Sequence, residues 1–151
     1  MHRILFVCHG NICRSPMAEF MLKKMVSDRG ISGDFEIASA AVSAEELGNP
    51  VYPPARRILA DHGISTGSKT ARQMNVADYR YYDFLICMDD SNLRRMKQIC
   101  GGDPENKMYR LMDFTTVPGE VSDPWYSGDF QTAWDDIERG LQAFLTSRGI
   151  K

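Results

Sequence analysis

Two residue types capable of chemistry on a tetrahedral anion stand close together near the N-terminus. Cys8, five intervening residues and Arg14 lie within the run Val7-Cys8-His9-Gly10-Asn11-Ile12-Cys13-Arg14-Ser15-Pro16. The apolar stretch Ile4-Leu5-Phe6-Val7 before it reads as a buried strand, and the pattern after it reads as an amphipathic helix. A loop between strand and helix N-terminus presents backbone N–H groups without intrahelical partners, at the positive end of the helix dipole, and so forms an anion site. Arg14 adds a planar fork that matches two oxygens of a phosphate. Cys8 is expected on the floor of that site, where positive potential favours a thiolate in line with a bound phosphoryl group. An isolated Cys-x5-Arg is short and common, and a cysteine after a strand is usually a small hydrophobe. Its placement here, with Ser15 as helix cap and Pro16 in the first turn, favours the chemical reading.

The elements needed to hold such a loop are legible in order. Met17, Met21, Met25 and Ala18, Leu22, Val26 recur at helical spacing from Ser15 to Arg29, and Gly30 ends the helix. Phe35-Glu36-Ile37-Ala38 reads as a second strand leading into Ser39-Ala40-Ala41. The stretch from Val42 to Pro54 is loop, and Ala55, Ile58, Leu59 and His62 mark a helix ending at Gly63. One or two helical turns are expected between Ala71 and Asp78. Asp83 to Met88 reads as a central parallel strand, and Asp89 or Asp90 caps a helix carrying Leu93, Met96 and Cys100. Met108 to Met112 reads as a last strand and Asp113 to Gly128 as a polar loop. The terminal helix aligns Phe130, Trp134, Ile137, Leu141 and Leu145. Strands alternating with helices predict an α/β three-layer sandwich of flavodoxin-like doubly wound topology, with a parallel sheet flanked by helices. In such sheets ligands sit beyond the carboxyl ends of the strands, where the Cys8 loop falls.

The chain of 151 residues is expected to form one domain, spanning 1–151, since no repeat or linker interrupts it. A net charge of −2 gives no sign of nucleic-acid attraction, and no apolar run reaches membrane-spanning length. With no signal-like segment opening the chain, a cytoplasmic location is expected, as a monomer or weak dimer. Cys8, Cys13, Cys87 and Cys100 form neither a zinc pattern nor a disulfide framework. Cys8 and Cys13 share one loop, and if both face the pocket they can pair as a reversible disulfide. Cys87 reads as packing and Cys100 as a helix end.

Cleaving a phosphate ester also needs a group that protonates the leaving oxygen. Asp123, in the late Asp123-Pro124-Trp125-Tyr126, is the best candidate for donating that proton and then activating water. Trp125 and Tyr126 offer an apolar wall for an aromatic leaving group. His9 either tunes Cys8 or is a solvated loop histidine, and His62 by itself reads as a packed or capping residue. Ser15 is either only a cap or a cap whose hydroxyl also stabilises the thiolate.

Together these segments resemble the low-molecular-weight protein tyrosine phosphatases. The likeness extends beyond the Cys8 loop and Asp123-Pro124 to Ser39-Ala40-Ala41-Val42, Asp61-His62-Gly63-Ile64 and the run from Phe84 to Leu93. The resemblance implies a four-stranded parallel sheet and no metal or other cofactor. It implies Cys8 as nucleophile, Arg14 as phosphate clamp, Asp123 as general acid and base, and Ser15 as the group stabilising the thiolate. It further implies that Asn11 holds the loop in a left-handed turn supported by Ser39 and His62, and that Cys13 protects Cys8 as a disulfide.

Two positions bear on substrate. Ile12 matches the tyrosine phosphatases of the family, whereas related protein-arginine phosphatases carry threonine there, so phosphotyrosine-containing proteins are the expected partners. Where many members place an aromatic cleft wall, this chain has Ala44-Glu45-Glu46-Leu47, and Glu45 is expected to disfavour strongly acidic peptides. The rival readings are a thiol-dependent arsenate reductase, for which only Cys87 and Cys100 are spare, a protein-arginine phosphatase, and a non-catalytic phosphotyrosine-binding module.

Overall fold

The computed structural model describes residues 1–150. Strands β1 (His2–Cys8), β2 (Phe35–Ala41), β3 (Phe84–Cys87) and β4 (Met108–Arg110) pair in parallel in the order β2-β1-β3-β4. That order makes β1 an interior strand, buried on both faces. Successive side chains of a strand point to opposite faces, and β1 divides accordingly. Ile4, Phe6 and Cys8 enter one apolar layer, with Met17, Leu22, Leu59 and Leu141. Leu5 and Val7 enter the other, with Tyr79, Leu85 and Met96.

The first layer is covered by α1 (Arg14–Asp28), α2 (Pro53–Asp61) and α6 (Phe130–Ser147), the second by α3 (Val76–Tyr81) and α4 (Asp90–Cys100). Helix α1 closes as its sequence anticipates: Gly30 takes φ 70°, and Ile31 N–H returns to the Val26 carbonyl at 3.0 Å. Among the described residues no helix is long and apolar enough to cross a membrane.

Several boundaries differ from the sequence reading, each for a local reason. Residues 71–74 do not begin a helix because they pair with the end of β2: Ala41 N–H donates to the Arg72 carbonyl at 2.7 Å and Met74 N–H to the Ala41 carbonyl at 2.8 Å. Helix α3 starts only after Asn75, whose side chain and that of Asp78 form a reciprocal capping box. Strand β4 stops at Arg110 and passes into a 3-10 turn, Leu111–Phe114, packed under α6. The loop from Asp113 to Gly128 contains a short helix, α5 (Pro124–Ser127), capped by Asp123. Ser15 is not a cap at all, since α1 begins at Arg14 and its N-cap residue, Cys13, makes no side-chain capping bond. Its hydroxyl is engaged elsewhere.

Candidate active site

Strand β1 ends at Cys8 and α1 begins at Arg14, so the intervening turn lies beyond the carboxyl end of the sheet. Neighbouring backbone holds this turn from outside. The amides of Val42, Ser43 and Tyr52 donate to the carbonyls of Cys8, His9 and Ile12 at 3.0, 3.1 and 2.8 Å. In a trans peptide the N–H points opposite to the C=O, so the N–H groups of His9, Gly10 and Cys13 are directed away from those segments.

Asn11 adopts φ 60°, a left-handed conformation that costs energy for any residue but glycine and is least unfavourable for Asn and Asp. Side-chain bonds lock it in place. Its amide nitrogen donates to Ser15 Oγ at 2.8 Å and Ser39 Oγ at 2.9 Å, and its Oδ1 accepts from the Arg72 N–H at 3.2 Å. Ser15 Oγ in turn lies 3.0 Å from Cys8 Sγ, and the Ser15 N–H lies 3.4 Å from the same sulfur. The sulfur therefore sits beside the hydroxyl and the N–H of Ser15 in the first turn of α1.

His62 is not brought to this loop. Its Nδ1 lies 2.9 Å from the Ile58 carbonyl and its ring stacks on Trp134 with centroids 4.0 Å apart, because it terminates α2 against α6. Behind Ser39 stands Lys69 instead, whose Nζ donates to the Ser39 carbonyl at 2.9 Å.

Arg14 is only 3% exposed. Its Nη1 donates to Asp89 Oδ2 at 2.9 Å and to the Val121 carbonyl at 3.0 Å, and its Nη2 lies 3.4 Å from Asp123 Oδ2. Burial works against the guanidinium charge, but Cys8, Asp123 and Asp89 outweigh it and hold the Arg14 pKa above the ordinary arginine value. Asp89 also caps α4 through its other oxygen, 2.8 Å from Asn92 N. One carboxylate thus fixes both a helix start and the arginine fork. Asp123 Oδ1 accepts from Trp125 N–H at 3.1 Å, which aims the second oxygen at Arg14.

The cleft over the turn is lined by Cys8, His9, Gly10, Ile12, Cys13 and Arg14 on one side, Glu45 and Glu46 on another, and Asp123, Trp125 and Tyr126 across from them. Trp125 leans on Tyr52 with centroids 4.8 Å apart, and Tyr126 is 86% exposed at the mouth. Glu45 does not stand alone there, since its Oε2 lies 3.1 Å from His9 Nε2. Burial, followed by the nearby Cys8, pushes the Cys13 thiol up to about 12, so it is held as a neutral thiol beside the cleft. Among the described residues no three His, Cys, Asp or Glu side chains converge to hold a metal ion.

The sequence reading missed Asp89 as a partner of Arg14, and it missed Tyr52, Glu19, Lys69 and Arg72 entirely. Glu19 carried one usable signal: it stands one helical turn after Ser15 among the apolar residues of α1. The others reach the site only through folding.

A thiol, an arginine fork and a carboxylate surround a strand-to-helix turn on a parallel α/β sheet ordered 2-1-3-4, an arrangement with the donors and the shape to hold a tetrahedral oxyanion over a cysteine. Sequence comparison narrows the class. A family model for low molecular weight phosphotyrosine protein phosphatase matches residues 3–150. The chain is 34% identical to the low molecular weight protein-tyrosine-phosphatase YfkJ of Bacillus subtilis, covering 97% of this chain and 96% of that one. It is 37% identical to the low molecular weight phosphotyrosine protein phosphatase of Gallus gallus, covering 94% and 92%. The crystal structure of YfkJ superposes with a TM-score of 0.93 at 33% identity, covering 99% and 95% of the two chains. The crystal structure of a drosophila arginine phosphatase superposes with a TM-score of 0.86 at 29% identity, covering 96% of each chain. The chain belongs to the low molecular weight phosphotyrosine protein phosphatase family.

Proposed function

We propose that this protein hydrolyses phosphotyrosine in protein substrates, and small aryl phosphates as surrogates, through a phosphocysteine on Cys8. The observation that carries the reading is the convergence of Cys8, Arg14 and Asp123 on one cleft, with Arg14 Nη2 and Asp123 Oδ2 3.4 Å apart. In the first step Cys8 Sγ attacks phosphorus, the S–P bond forms and the P–O bond to the aryl group breaks. Arg14 and the turn's N–H groups hold the equatorial oxygens as charge develops on them. Asp123 donates its proton to the departing phenolic oxygen, and its carboxylate then takes a proton from a water that attacks phosphorus, forming a new P–O bond as the S–P bond breaks. Phosphate and the Cys8 thiolate are released. Ser15 Oγ, 3.0 Å from the sulfur, favours the thiolate as both attacking and leaving group.

Ile12 supports phosphotyrosine over phosphoarginine. It is 8% exposed, packed by Ala71, Tyr52 and Phe130, and it still lines the cleft, so a branched side chain narrows the entrance at a point that packing keeps fixed. The exposed Trp125 supplies an apolar surface beside Asp123 for an aromatic ring. The likeness to an arginine phosphatase makes phosphoarginine the second reading. Arsenate reduction is disfavoured because Cys87 is fully buried, with its Sγ on the Asp89 carbonyl at 3.6 Å. A relay thiol must reach Cys8, and this one is immobilised by packing.

The test is phosphate release from phosphotyrosine and phosphoarginine peptides, with chelator present, by the native protein and Cys8→Ser. Turnover of phosphotyrosine that is lost in Cys8→Ser is the expected result. Preference for phosphoarginine would overturn the substrate assignment and keep the chemistry. Tight binding without turnover would make the protein a binding module.

A further inference from the structure

Glu19 is a carboxylate that the proposed chemistry does not use, yet it is 4% exposed on the core side of α1. Lys23 Nζ lies 2.6 Å from its Oε2, and Lys69 Nζ approaches Oε1 at 4.0 Å. Ser39 Oγ donates to Oε1 at 2.5 Å. Both oxygens of the carboxylate are thus taken as acceptors, one by Lys23 and one by Ser39. That one-way character propagates. The Ser39 proton is committed to Glu19, so Ser39 Oγ faces Asn11 as an acceptor, and it takes an N–H from Asn11 Nδ2 at 2.9 Å. The orientation of the Asn11 amide is fixed independently, because its Oδ1 accepts from the Arg72 backbone N–H at 3.2 Å. The second Asn11 N–H is thereby aimed at Ser15 Oγ, at 2.8 Å. Ser15 is then an acceptor toward Asn11, and its own proton is left for Cys8 Sγ, 3.0 Å away.

We propose that Glu19 and Lys69 are positioning residues, a buried carboxylate and a part-buried ammonium outside the cleft that set the direction of the hydrogen-bond chain Glu19–Ser39–Asn11–Ser15–Cys8 so that it ends on a hydrogen donated to the sulfur. This deepens the reading of Cys8 as nucleophile and rests on it. Lys69 has two parts in the arrangement: it neutralises Glu19, and it pins the Ser39 carbonyl at 2.9 Å, holding the first hydroxyl of the chain in place. Burial holds the Lys69 pKa below the ordinary lysine value, and the neighbouring Glu19 works against that shift. A chain of this kind is stiffer in its polarity than any one bond within it, since reversing it requires every member to turn.

The charges around these groups make the prediction discriminating. Cys8 faces Arg14, Asp123 and Cys13 across the cleft, Lys69 faces Glu19, Arg72, Lys23 and Cys8, and Glu19 faces Lys23 and Lys69. Through space alone, removing the negative charge of Glu19 stabilises a Cys8 thiolate and moves its formation to lower pH. Through the chain, Glu19→Gln lets Ser39 turn, frees the polarity of Asn11 and Ser15, and moves thiolate formation to higher pH. The two effects have opposite signs.

The experiment is the rate of Cys8 alkylation by iodoacetamide as a function of pH, which requires no turnover and so stands whether or not phosphotyrosine is the substrate. For Glu19→Gln the profile is expected to move up by about one pH unit, with an alkylation rate roughly tenfold lower on its acidic side and unchanged at the alkaline plateau. In a Ser15→Ala background the same substitution is expected to lose that upward shift, because the chain no longer reaches the sulfur. A folded Glu19→Gln whose profile stays in place or moves down overturns the proposal, as does an upward shift that persists undiminished in Ser15→Ala. If Glu19→Gln does not fold, Lys69→Met is read in the same two backgrounds. Part of its upward shift is then expected to depend on Ser15, and an equal shift in both backgrounds overturns the proposal.

Discussion

Asp123 holds two roles that a single substitution can separate. Its Oδ1 caps α5 by accepting the Trp125 N–H at 3.1 Å, and its Oδ2 faces Arg14 Nη2 at 3.4 Å. Asp123→Asn keeps a carbonyl oxygen for the cap, and Asn caps about as well as Asp. What it loses is an ion pair whose acidic partner is 29% exposed, so solvent screening limits that loss to about 1 kcal/mol or less. The chemical loss is far larger. Removing a general acid lowers rates by roughly 10²–10⁴, equivalent to about 3–5.5 kcal/mol of barrier. Activity and stability should therefore part company, with kcat on a phosphotyrosine peptide falling by those two to four decades and the thermal midpoint moving by only a few degrees. The loss should also depend on the leaving group, since p-nitrophenolate needs less help from a proton than the tyrosine phenolate. Steady-state kinetics on both substrates, with melting followed by circular dichroism, decide the matter. Equal losses on the two substrates, or a change in KM alone, would refute the assignment of Asp123 as acid.

Two further outcomes follow from packing and burial. A Cβ at position 140 would lie 2.5 Å from Leu111 Cγ and 3.0 Å from its Cδ2. Gly140→Ala should therefore destabilise by about 1–2 kcal/mol, overpacking outweighing the gain in helix propensity of roughly 1 kcal/mol, and lower the thermal midpoint by several degrees. Burial pushes the Cys13 and Cys87 thiols up to about 12, from 9.0. Iodoacetamide at neutral pH should accordingly spare both in the native protein, as peptide mass mapping will show. Because the folded state binds these protons more tightly than the unfolded chain, stability should be intact below pH 9 and decline as pH rises toward 12. A urea midpoint that stays level across that range would contradict the burial of the thiols.

Much of this protein can be read from its sequence because the governing interactions are local. The unbroken run Ile4-Leu5-Phe6-Val7 demands burial on both faces, which only an interior strand provides, and it places Cys8 at the end of that strand. The helix that follows the loop is likewise set by neighbours in the chain, whereas the left-handed turn at Asn11 is held by the distant Ser39 and Arg72 as well as by Ser15. What the sequence could not show is which distant groups meet the loop. Ser15 reads as a cap, with or without a second role at the Cys8 sulfur, but it caps nothing, and Asn11 Nδ2 and Cys8 Sγ share its hydroxyl. The family resemblance implies His62 as loop support, but the end of α2 stacks it on Trp134, in keeping with its reading as a packed or capping residue before Gly63. Lys69 carries no local signal at all and reaches Ser39 only because residues 71–74 return along β2. Asp89 meets Arg14 across 75 positions of sequence, through the parallel pairing of β1 and β3 that sets their carboxyl ends side by side. Sequence by itself determined the strand, the helix after it and the reactive groups they carry, since steric and hydrogen-bonding constraints act over a few residues. The tertiary structure alone decided which carboxylates and cations surround them, because electrostatic partners are chosen by proximity in space.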